Sequence, residues 1–128
     1  MARVVIGPSA IHGLGLFAAE PIGAGTTIIE WSDCARILTE DQVAALPPEE
    51  RKYLSFIEGR HVLFEPPARF VNHSCDPNAR GGSGRDAALR DIGAGEEITV
   101  DYVLEQVPGL DLRCCCGSPG CRGRLTSG

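Results

Sequence analysis

Arg69-Phe70-Val71-Asn72-His73-Ser74-Cys75-Asp76-Pro77-Asn78 is the stretch on which the reading of this chain turns. An apolar pair, Phe70-Val71, runs into a polar cluster and then into Asp76-Pro77-Asn78. That triplet is turn chemistry, because the Pro ring fixes φ and Asp and Asn side chains bond their own backbone. The pattern predicts a buried strand end that delivers Asn72, His73 and Cys75 to one point. Polar groups gathered at a core edge need partners, and a ligand or a metal would supply them.

Upstream, residues 3–6 are a β-branched run that predicts a first strand, broken by Gly7-Pro8-Ser9. His12-Gly13-Leu14-Gly15 follows, and its glycines permit positive φ and close approach of backbone to a ligand. Gly13-x-Gly15-x-x-Ala18 matches a dinucleotide-binding fingerprint. That reading needs an immediate helix, and Pro21, Gly23 and Gly25 stand in its way. Residues 21–25 read as a turn and 26–31 as a strand, with 35–38 as its expected partner. Thr39 and Gln42 spell a capping box that opens a short helix carrying Val43 and Leu46, stopped by Pro47-Pro48. A second helical turn runs from Glu49 toward Tyr53, and residues 61–64 read as a strand.

Downstream, residues 81–86 read as a flexible glycine-rich connection. Residues 87–92 and 96–102 read as strands joined by Gly93-Ala94-Gly95, and a loose segment spans 104–112. The chain has 128 residues, enough for one domain. Its net charge of −5 argues against non-specific nucleic-acid binding and suits a basic peptide partner. Sixteen Gly and nine Pro favour short strands over long helices. No apolar run is long enough for a transmembrane helix. Arg3 and Pro8 interrupt any signal-peptide core, so the expectation is a cytoplasmic protein with no membrane contact.

Six Cys in such a chain read as metal ligands or free thiols rather than disulfides. Cys114-x-Cys116-x4-Cys121 brings three thiolates together, and Zn²⁺ wants four in a tetrahedron. Cys75 is the remote candidate for the fourth. Cys115 replacing a neighbour, or disulfides within the tail, are the competing arrangements. Cys34 reads as a small buried hydrophobe.

The central stretch resembles the signature motif of SET-domain protein lysine methyltransferases. Three further pieces resemble that family in order: the Gly13-x-Gly15 loop, the Ala88-Leu89-Arg90-Asp91-Ile92 to Gly95-Glu96-Glu97-Ile98-Thr99-Val100-Asp101-Tyr102 pair, and the cysteine tail. The resemblance implies a mainly β, β-clip fold of small sheets with short helical turns and a knot-like C-terminal segment. It implies a SET domain over 4–103, with a variable insert at about 39–66, and a post-SET zinc-binding tail over 112–125. S-adenosylmethionine is the implied cofactor, held by His12, Gly13, Leu14, Gly15, Tyr53, Asn72 and His73. Zn²⁺ is implied on Cys75, Cys114, Cys116 and Cys121. Tyr102 takes the catalytic position. Trp31 and Val100 fall on the lysine channel, where the family usually has Tyr and Phe or Tyr. Glu65-Pro66-Pro67-Ala68 departs from the family pattern.

The implied reaction is lysine N-methylation of a protein or peptide, histone-like substrates among them. The nucleophile must be a neutral amine, although free lysine titrates at about 10.4. Burial in a narrow channel and a nearby sulfonium both disfavour the ammonium form, which leaves alignment to the protein. Val100 is smaller than the usual aromatic, which leaves room for di- or trimethylation. Each residue also has a plainer reading: Trp31, Tyr53 and Tyr102 as core aromatics, His73 as a structural histidine, and Asn72-x-Ser74 as a glycosylation sequon. The rival function is a non-catalytic, zinc-stabilised module that binds a peptide, and a homodimer remains compatible with either.

Overall fold

The computed structural model describes residues 2–57, 59–82, 84–104 and 110–126. Frequent Gly and Pro cut the chain into short pieces, and twelve short strands form among the described residues. The first sheet orders β1 (Val4–Pro8), β2 (Leu14–Ala18), β10 (Glu97–Val100) and β7 (Asn72–His73). β2 runs antiparallel to β1 and β10, whereas β7 runs parallel to β10 with Thr99 opposite Asn72 and Val100 opposite His73. The central motif therefore lies alongside the Glu97–Val100 strand, across a parallel crossover. The second sheet orders β3 (Thr27–Glu30), β9 (Arg85–Ala88) and β8 (Ala79–Gly82). The third orders β4 (Ala35–Leu38), β6 (Arg60–Phe64) and β5 (Leu54–Ile57). A last pair joins β11 (Asp111–Arg113) to β12 (Arg124–Thr126). One short helix, α1 (Glu40–Ala44), and three 3₁₀ segments, Trp31–Asp33, Pro48–Tyr53 and Ala68–Phe70, complete the described elements.

The sheets share a core of Leu16, Ile22, Ile28, Ile29, Val71, Ile92, Ile98 and Val100, all buried. A repeated tetrapeptide closes it: Ile22-Gly23-Ala24-Gly25 and Ile92-Gly93-Ala94-Gly95 face each other across an Ile22–Ile92 bridge. Gly25 and Gly95 take φ of 83° and 85°, a left-handed turn that favours glycine.

Several expectations need correction. The 35–38 strand pairs with β6 and not with β3, whose partner is β9. Residues 81–86 are no loose connection: β8 and β9 form a hairpin with Gly81 opposite Asp86, although Ser83 lies outside the described residues. The strand expected over 87–92 ends at Ala88, where its pairing with β8 stops. The strand expected over 96–102 ends at Val100, so Tyr102 sits beyond it. Phe70 closes a 3₁₀ turn, Ala68–Phe70, and the polar Asn72 and His73 themselves form the buried strand. β1 continues through Pro8, which an edge strand tolerates because its missing N–H faces no neighbour. The loose 104–112 segment falls largely on residues 105–109, outside the described residues, and ends in a buried Leu110 and β11. The Thr39 capping box is present, with Gln42 N–H on Thr39 Oγ1 at 3.2 Å and Thr39 N–H on Gln42 Oε1 at 2.8 Å.

Asn78 pins the turn of the central motif to β10. Its Nδ2 donates to the Glu97 carbonyl at 2.7 Å and to Glu96 Oε2 at 3.0 Å, and its Oδ1 accepts from Thr99 N–H at 2.9 Å. It is 2% exposed, so water cannot replace these bonds. Asn78→Ala should lower unfolding stability by about 3 kcal/mol, measured as a shift in denaturant midpoint at unchanged slope.

A candidate active site between a glycine loop and the central motif

A cavity of about 630 Å³ runs between the sheets. It is lined by His12, Gly13 and Leu14, by Tyr53 and Arg69, and by Trp31, Phe64 and Asp86, and Arg69 Nε donates to the Phe64 carbonyl at 3.0 Å. Val71, Asn72, Val100 and Tyr102 also line it. The structure thus brings most of the expected cofactor and channel residues around one space. Gly15 and His73 do not line it and act from behind its wall.

Asn72 fixes the glycine loop. Its buried amide nitrogen lies 3.1 Å from the His12 carbonyl, 3.0 Å from the Leu14 carbonyl, 3.2 Å from Ser9 Oγ and 3.0 Å from Glu97 Oε2. An amide has two N–H groups, so these acceptors share them. Ser9 Oγ donates to the Glu97 carboxylate at 2.8 Å and accepts from Ile11 N–H at 2.9 Å. A Cβ on Gly15 would lie 2.9 Å from Glu97 Cδ and 3.0 Å from Ser9 Cβ. Gly15 is therefore needed for close approach and not for an unusual φ, whereas Gly13 does take a positive φ, 45°. Ser9 and Glu97 are working parts of the site that the sequence reading missed. They are 88 residues apart, and neither carries a local signal.

Tyr102 sits at the meeting point of cavity and tail. Its hydroxyl donates to the Val71 carbonyl at 2.6 Å, and its backbone N–H donates to His73 Nδ1 at 3.0 Å. Burial, the Glu97 charge and Tyr53 push its phenol up to about 12, so it remains a protonated donor. The bond at Nδ1 puts the His73 proton on Nε2, 3.2 Å from Cys75 Sγ. Burial lowers the His73 pKa and keeps the ring neutral, with Arg122 adding to the effect and Asp101 opposing it.

Trp31 occupies a 3₁₀ turn after β3. Its indole N–H donates to Asp86 Oδ1 at 3.2 Å, and its ring meets Phe64 edge-on at 5.7 Å. Tyr53 is covered by the Arg69 guanidinium at 4.1 Å from its ring centroid and by Lys52 Nζ at 5.0 Å. Arg69 is fixed in turn by Glu50 at 2.9 Å.

The sulfurs of Cys75, Cys114, Cys116 and Cys121 lie within 4.8 Å of one another. Cys75 and Cys114 are 3.7 Å apart, close to the edge of a Zn–thiolate tetrahedron with bonds of about 2.3 Å. The set therefore fits a zinc ion. The Cys116 thiol is brought down to about 5: burial works against this, but backbone N–H groups of Cys75 and Ser118 and the Ser118 hydroxyl favour the thiolate. Cys115 is exposed and outside the cluster, and Cys34 is buried in the main core. A further clamp was missed: Arg122 from the tail donates to both oxygens of buried Asp101, at 3.2 and 2.7 Å. Burial alone would raise the Asp101 carboxyl, yet Arg122 and the Val103 N–H hold it below its ordinary value.

The family model described as SET domain matches residues 13–103. A protein of Aspergillus fumigatus named "Histone-lysine N-methyltransferase, H3 lysine-4 specific" is 41% identical over 91% of this chain. The Saccharomyces cerevisiae protein of that name is 38% identical over 95%. This chain spans 11% and 13% of the length of those two relatives. The crystal structure of a "putative histone methyltransferase" of Plasmodium falciparum superposes with a TM-score of 0.64. It is 24% identical, covering 80% of this chain and 94% of that one, and it bears out the mainly β architecture.

The purified chain should carry one equivalent of zinc by elemental analysis. Cys121→Ser should lose that metal, and Cys115→Ser should keep it. Equal loss in both would contradict the ligand set.

Proposed function

We infer that this chain, which belongs to the SET-domain family, transfers methyl groups from S-adenosylmethionine to lysine side chains of a protein. The observation that carries the reading is one cavity joining the Asn72-tied glycine loop to the Trp31 end, with Tyr102 on its wall. When bound, S-adenosylmethionine supplies an electrophilic methyl on a sulfonium. The His12–Leu14 backbone and Asn72 are placed to hold its polar end, and Tyr53 offers a ring face.

At the other end, Trp31 supplies an aromatic wall for the lysine chain, whose aliphatic stem buries well there. The amine has to reach the cavity neutral and aligned. The Tyr102 oxygen has lone pairs left after donating to Val71, and these can accept from the amine and fix its direction. Val100, buried on β10 beside this position, leaves room for an amine already carrying methyl groups. The cysteine tail packs Leu110, Cys114 and Leu125 against Tyr102. The tail's part is to hold the tyrosine in place.

The relatives' names and the −5 net charge support a basic, histone-like protein segment as the substrate. A reducing cytoplasm suits the free thiols. In a test with labelled S-adenosylmethionine and a panel of basic proteins, histones included, wild type should label lysine. Tyr102→Phe should fall by about 100-fold, and mass spectrometry should find di- and trimethyl product at long times. No transfer to any protein together with no binding of S-adenosylmethionine would favour the non-catalytic module instead.

A further inference from the structure

We propose that Glu97 is a positioning residue for the cofactor: its carboxylate, behind the glycine loop, makes the Asn72 amide a receptor for the α-ammonium of S-adenosylmethionine. The proposal rests on the methyl-transfer reading of the same site. It assigns a part to a charged group that acts on the cavity through Asn72 and Ser9 and does not line it.

The position of Glu97 is built. A Cβ on Gly15 would lie 2.9 Å from Glu97 Cδ, so the bare glycine is what gives the carboxylate room against the loop. Ser9 Oγ lies 2.8 Å from one carboxylate oxygen and 2.9 Å from the other, and Asn72 Nδ2 lies 3.0 Å from Oε2. A carboxylate only accepts, so both contacts have a fixed direction. The Ser9 proton and an Asn72 N–H point at Glu97. Ser9 Oγ is left to accept from the N–H groups of Ile11 at 2.9 Å and His12 at 3.3 Å. The Ser9 backbone N–H donates to the Gly13 carbonyl at 2.9 Å. The loop is thus tied to Glu97 through Ser9.

Asn72 is directed by the same group. Its nitrogen faces two carbonyls, a hydroxyl and this carboxylate, so Oδ1 is the end turned away from them. Among the described residues Oδ1 has no donor, and no buried side-chain oxygen is left unpartnered. Oδ1 is therefore open on the side where Asn72 lines the cavity. An amide whose N–H is bonded to a carboxylate is polarised, which makes its oxygen a stronger acceptor. The charge is also felt at the cavity wall, since after burial it is Glu97 that raises the Tyr102 phenol. An open acceptor with a negative charge behind it favours an ammonium over a neutral group or a carboxylate. The amino-acid end of S-adenosylmethionine carries that ammonium.

The test is calorimetric, with S-adenosylhomocysteine and its analogue lacking the α-amino group, neither of which can donate a methyl. Wild type should bind the amino ligand tighter by about tenfold or more. Glu97→Gln keeps the size and one acceptor oxygen but removes the charge. It should bind the analogue as wild type does and lose most of the preference for the amino ligand. A wild type without that preference would overturn the proposal, as would a preference that survives in Glu97→Gln. Equal loss of affinity for both ligands would also overturn it, because a purely structural role predicts that result. Should the variant not fold, a crystal structure of wild type with S-adenosylhomocysteine decides. The ligand's ammonium on Asn72 Oδ1 supports the proposal, and its carboxylate there overturns it. A wild type that binds neither ligand sinks the cofactor reading, and this inference with it.

Discussion

The bonds of one buried amide, Asn72, hold the rest of the site together. Its nitrogen reaches two carbonyls of the glycine loop, a serine before the loop and a glutamate on β10. Three distant stretches of chain are thereby fixed around one side chain. A buried donor left without a partner costs about 1–3 kcal/mol, so this arrangement is strongly favoured over its alternatives. It also explains Gly15, because any side chain there would collide with Glu97 and Ser9. The glycine loop is shaped by the motif behind it before any ligand arrives.

The parallel pairing of β7 with β10 is what makes the hub possible. It sets Asn72 toward the loop and His73 toward the tail. His73 then links the two halves of the site, accepting from the Tyr102 N–H and facing Cys75. The cysteine cluster and the Arg122–Asp101 bonds hold the tail against Tyr102 from the other side. The cysteine cluster, His73 and Tyr102 form one continuous support.

What was legible in the sequence was local or carried by motif. The capping box at Thr39 needs only its own four residues. The cysteine spacing left one vacancy with Cys75 as its remote candidate, and the four sulfurs of Cys75, Cys114, Cys116 and Cys121 lie within 4.8 Å of one another. What was not legible depends on distant pairing. Residues 26–31 and 35–38 both read as strands, but nothing local says that one joins β9 and the other β6. Gly81-Gly82-Ser83-Gly84 reads as loose, yet Gly84 at a φ of 78° follows a strand paired along its length with β9. The bond from the Trp31 indole to Asp86 was invisible for the same reason, since the two residues are 55 apart in the chain.

The account stands most directly on cofactor binding at the Asn72 hub. Calorimetric titration of S-adenosylmethionine into the zinc-loaded chain should give saturable one-to-one binding. Asn72→Ala, folded by circular dichroism, should weaken that binding by about tenfold or more. A folded wild type that binds no S-adenosylmethionine, or an Asn72→Ala chain that binds it as tightly as wild type, would contradict the account.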